Sequence, residues 1–159
     1  MHDKLLSSMA AANDEITELS LLKLNEETKE SGLMLSRKEA AELTAAHRRA
    51  LVASGRVEVG AGVMEKIIRV FSRSKYLRQE DYADVLHEIT QNFYLIKNDM
   101  MDRISDDELI SFMYDCFEKH RGSMLFMDGW ELEALHRRLC LGEDDSDGET
   151  ESTDDDDDE

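Results

Sequence analysis

The stretch Gln79 to Asn98, QEDYADVLHEITQNFYLIKN, decides the fold class. Tyr82, Leu86, Ile89, Phe93 and Ile96 recur at steps of four and three residues, with Val85 beside them, and the positions between are mostly polar. A strand would alternate every second residue; this spacing puts the apolar side chains on one face of a helix about 20 residues long. The same pattern repeats on both sides of it. Val63, Met64, Ile67, Ile68, Val70 and Phe71 predict a helix over about 61–73, with Lys66, Arg69 and Arg73 together on its polar side. Leu109, Ile110, Phe112, Met113, Cys116 and Phe117 predict another, opened by Ser105-Asp106-Asp107-Glu108 and closed by Gly122.

Upstream, Ser36-Arg37-Lys38-Glu39 has the form of a capping box, in which the serine hydroxyl and the glutamate carboxylate each satisfy an amide at the helix start. The helix it opens should reach Ser54, where Gly55 supplies a left-handed cap. Between Gly55 and Gly62 the alternation Arg56-Val57-Glu58-Val59 suits a short extended piece within a structured loop, with no sheet. A last helix is expected from near Asp128, carrying Trp130, Leu132, Leu135 and Leu139, with Trp130 in the core. Residues 14–30 read as a further helix, though Leu19, Leu21, Leu22 and Leu24 follow no clean period, and residues 1–13 read as frayed.

The chain contains no proline, so nothing interrupts this succession. The expectation is an all-α fold: a compact bundle of five to six helices forming one domain over residues 1–142, followed by a disordered acidic tail at 143–159. The tail contains only Asp, Glu, Ser, Thr and Gly, and burial cannot repay its ordering entropy.

Charge is segregated along the chain. The whole sums to −18, yet Arg37 to Arg78 carries ten Lys/Arg against four Asp/Glu. Ten cations form this island: Arg37, Lys38, Arg48, Arg49, Arg56, Lys66, Arg69, Arg73, Lys75 and Arg78. If the two helices bearing them pack side by side, their polar faces make one positive surface for phosphates or an acidic partner. The island lacks interleaved aromatics for base stacking, and a solvated face balanced by neighbouring acids is the plainer reading.

The block from Leu33 to Leu139, above all Gly55-Arg56-Val57-Glu58-Val59-Gly60, Glu80-Asp81-Tyr82 and Ile104-Ser105-Asp106-Asp107-Glu108-Leu109, resembles a family of small helical bacterial proteins of unknown function with members in Gram-positive gut anaerobes. The resemblance covers about two-thirds of the chain. It implies a bacterial, cytoplasmic protein and carries no activity or cofactor.

Motifs that would carry chemistry are incomplete. Gly55 and Gly60 have phosphate-loop spacing, but Ala61-Gly62 stands where Lys and Ser/Thr are needed. Cys116 with His120 and His136 with Cys140 are ligand types for zinc. An antiparallel hairpin would set Cys116 near residue 133, which leaves His136 and Cys140 one to two turns away, so the cysteines read as reduced core residues. The acids from Glu143 to Asp154 imitate a calcium loop with the wrong residue at both ends. The N-terminus reads as neither a secretory signal nor a transit peptide, and no run is long enough to span a membrane. No metal or cofactor is expected.

The leading expectation is a noncatalytic cytoplasmic protein-interaction module of unknown partner, its tail serving solubility or masking the basic face. The alternative is a nucleic-acid-linked regulator, either binding phosphates through residues 37–78 or mimicking nucleic acid with its acids. Oligomeric state is open at this level.

Overall fold

The structure, a computed structural model, describes residues 2–124 and 130–141. Helix α1 spans His2–Thr28 and tightens into a 3-10 turn at Lys29–Ser31; α2 spans Arg37–Ser54 and α3 Val63–Phe71. A 3-10 turn at Gln79–Asp81 leads into α4, Tyr82–Asp99; α5 spans Asp106–Lys119 and α6 Trp130–Leu141. No strand occurs among the described residues. The all-α expectation holds, and the tail lies outside the described residues.

Helix α4 is the hub. Its periodic residues Tyr82, Leu86, Ile89, Phe93 and Ile96 are all buried, and α2, α3 and α5 pack around it. Each such side chain removed from water stabilises the fold by about 1.5–3 kcal/mol. The core continues through Ile67, Ile68 and Phe71 of α3 and Leu109, Met113 and Phe117 of α5, where Phe71 and Phe117 meet edge-on at 5.3 Å between ring centroids. Helix α1 lies across α2 and α3.

The helix ends follow the local chemistry. Ser36 accepts from the Glu39 amide while Glu39 reaches back to the Ser36 amide, and Gly55 closes α2 at φ 65°. Ser105 accepts from the Glu108 amide at the start of α5. Side-chain amides stitch the extended link between α1 and α2. Asn25 exchanges two hydrogen bonds with the Leu35 backbone at 2.8 and 2.9 Å, and Gln79 exchanges two with Met34 at 2.6 and 2.8 Å. These pairs satisfy backbone groups that lie outside any helix.

Two expectations change. Helix α1 starts at His2, so the helix read over 14–30 is longer by more than three turns, and the side chains from Ser8 to Ala12 on it are exposed. Trp130 is 68% exposed and not in the core. It stands at the first position of α6 with the Lys119 ammonium 4.9 Å from its ring centroid, while Leu135 is buried in the core and Leu132 and Leu139 pack against it.

Candidate functional site

The loop between α2 and α3 inverts the usual order of polar and apolar. In an extended segment, successive side chains point to opposite sides. Along Arg56-Val57-Glu58-Val59 the carboxylate turns inward, while Val57 is 94% and Val59 83% exposed. A buried polar cluster receives Glu58. Its carboxylate accepts the Val63 amide at 2.9 Å and the Tyr94 hydroxyl, and lies 3.6 Å from His47 Nε2. Tyr94 and His47 are 2% and 3% exposed.

The hydrogen-bond sense follows from the inventory of donors. Tyr94 spends its one proton on Glu58, so the 3.1 Å contact between Tyr94 and His47 requires the ring to donate from Nε2. Burial pushes the Glu58 carboxyl up, but the nearby His47 ring and the bonds from Tyr94 and the Val63 amide outweigh it and hold the group below the usual carboxylate range. Burial first, and then the Glu58 charge, push the Tyr94 phenol far above its ordinary value.

Glu58 thus occupies the anion position at the start of α3, where unpaired amides and the helix dipole favour negative charge. The chain supplies its own anion there, at the place a phosphate takes in a phosphate loop. Two further ties hold the segment. Arg56 donates to Asn98 at 3.1 Å and pairs with Asp102 at 2.6 Å, and the Gly60 amide donates to Asn13 at 3.1 Å. Beside the loop is a cleft of about 410 Å³ whose lining includes Arg56, Glu58, Lys66, Tyr94 and Asp106. Its charges are matched: Lys66 pairs with Asp107 at 3.0 Å and Asp106 with Lys97 at 2.7 Å.

The basic island is spread and in part neutralised in the same way. Helices α2 and α3 meet chiefly through α1 and α4, which pack against both. Six of the ten cations pair with carboxylates: Lys38 with Glu42, Arg48 with Asp14, Arg56 with Asp102, Lys66 with Asp107, Arg69 with Glu27 and Glu65, and Arg78 with Asp81. Lys75 lies over the Tyr76 ring at 5.2 Å. Arg37, Arg49 and Arg73 are exposed. The acids come mostly from α1 and from the segments flanking α4 and α5.

No group of three or more metal-ligating side chains converges among the described residues. Cys116 is 5% exposed in the core, and burial pushes its thiol up to about 11. His120 contacts Glu131 at 3.0 Å, and the Cys140 side chain and the calcium-like run lie outside the described residues. No helix among the described residues is long and apolar enough to cross a membrane.

Sequence reasoning missed the Glu58–Tyr94–His47 cluster. Two signals pointed to it: the valines flanking Glu58, and the place of His47 four residues from both Leu43 and Leu51 on the apolar side of α2.

Among known proteins, a model for a family of unknown function, DUF6323, matches residues 20–145. No curated protein and no solved structure matches the chain.

Proposed function

The chain belongs to DUF6323, a family of unknown function, and from that premise we propose that it is a noncatalytic, cytoplasmic protein-interaction module whose contact loop is Arg56 to Gly62. The observation that carries this reading is the pair of almost fully exposed valines on a segment anchored by Glu58, Arg56 and Gly60. Two β-branched apolar side chains in water gain nothing for the folded monomer. On an anchored backbone they reach a partner with little ordering left to do, which lowers the entropic cost of association. The acidic segment 143–159 then keeps the molecule soluble or screens its cations.

The nucleic-acid reading draws less support, because phosphates would have to displace carboxylates already paired with six of the ten island cations. The test is capture from bacterial lysate on the immobilised full chain and on its Val57→Ser/Val59→Ser variant, with salt elution and mass spectrometry. A stoichiometric protein lost with the variant supports the module. Identical recovery by both removes the loop as the contact, and nucleic acid released by salt favours the alternative.

A further inference from the structure

Helix α1 carries two apolar stripes, and the fold uses one of them. The inner stripe, Thr17, Leu21, Leu24 and Thr28, is buried against the bundle. The outer one consists of Leu5, Met9, Ala12, Ile16 and Leu19, with Leu5 62%, Met9 61%, Ile16 52% and Leu19 59% exposed and Ala12 exposed as well. Its steps of four, three, four and three residues are those of a coiled-coil seam. A helix lying on a bundle normally turns a polar face to water. This one turns a heptad seam about 21 Å long at 1.5 Å per residue.

We infer that the outer stripe of α1 packs against the same stripe of a second copy of this chain, antiparallel, to form a two-fold dimer. A heptad seam is filled best by another helix with the same spacing, and a two-fold axis lets one surface serve both subunits. Charge sets the direction. Lys4 lies at one end of the stripe and Glu15 and Glu18 at the other, with Lys23 one step beyond Leu19; antiparallel helices bring Lys4 beside the partner's anions, whereas parallel ones set each of these charges beside its own kind. The nearest other acid, Asp14, is held by Arg48 within its own chain.

The four large side chains expose roughly 450 Å² per copy, or about 900 Å² for the pair before the flanking residues, which is near the lower bound of about 1,000 Å² for a specific interface. An interface of that size is a weak one, in equilibrium with the single chain. The stripe borders the loop of residues 56–62, where Ile16 abuts Gly60, but the seam variant leaves Val57 and Val59 in place, so failure of the dimer leaves the interaction reading standing.

Sedimentation equilibrium of the full chain from micromolar to submillimolar concentration tests this. The weight-average mass should rise from the 18.2 kDa of one chain towards twice that value. A Met9→Glu/Leu19→Glu variant should stay at the single-chain mass with unchanged far-UV circular dichroism, because both positions face water in the monomer. A single-chain mass for the unaltered protein at every concentration overturns the proposal, as does a doubled mass that survives in the variant. A Lys4→Glu chain should dimerise more weakly in low salt than the unaltered one; tighter pairing would overturn the antiparallel direction.

Discussion

The Glu58 carboxylate fills the space that a side chain on Gly62 would take. A Cβ built on Gly62 collides with Glu58 Oε1, and the residue sits at φ 49° and ψ −121°, a conformation open to glycine and strained for other residues. The glycine is what allows an acid four residues upstream to cap α3.

Gly62→Ala should therefore destabilise the protein by about 2–4 kcal/mol, from backbone strain together with the loss of the Glu58 hydrogen bonds. Urea denaturation measures this. A loss well under 1 kcal/mol would mean that the loop rearranges freely and that its valines are not held in place.

Acid should weaken the fold partly through Glu58. Its folded pKa lies below the ordinary value of 4.5, so its contribution is present above about pH 4.5 and is lost as pH falls through the depressed folded value. Glu26, Glu27 and Glu131 are lowered as well and share this acid limb. Glu58→Gln should lower the melting temperature at neutral pH and flatten its fall below pH 4.5 without abolishing it. Parallel melting curves against pH for the two proteins would contradict the assignment.

Phe93→Ala tests the hub. The ring is 1% exposed and meets Tyr94 edge-on at 5.2 Å. Removing it leaves a cavity worth about 3–5 kcal/mol in the α4 interior, readable as a lowered denaturation midpoint.

Cys116 should be nearly inert in the native state. Burial, reinforced by the Glu131 charge, holds its thiol near 11, so little thiolate exists at pH 8. In a Cys140→Ser background, reaction with a chromogenic disulfide should be slow when folded and rapid in guanidinium. Rapid native labelling would show that α5 opens locally.

The outer stripe of α1 explains why this helix was hardest to read. Leu19 belongs to one stripe and Leu21 and Leu24 to the other, so the leucines superpose two periods and neither stands out. Trp130 was misplaced against its own period. Steps of two and five residues set it about 160° and 140° round the helix from Leu132 and Leu135, on the solvent side, so the period excludes a core position shared with those leucines.

The sequence by itself determined the helices and most of their ends, because caps, closing glycines and apolar faces depend on residues three or four apart. Ser36 with Glu39, Ser105 with Glu108, and the α4 face from Tyr82 to Ile96 are contacts of that kind. Tertiary structure alone decided the charge pairs between distant segments. Glu58 meets Tyr94 across 36 residues, His47 meets Tyr94 across 47, and Arg48, Arg69 and Arg56 find acids 34 to 46 positions away. No local pattern encodes such pairs, because the packing of helices brings them together and each residue type alone looks like an ordinary solvated charge. The basic island is continuous in sequence, and in space six of its ten cations are divided among separate ion pairs.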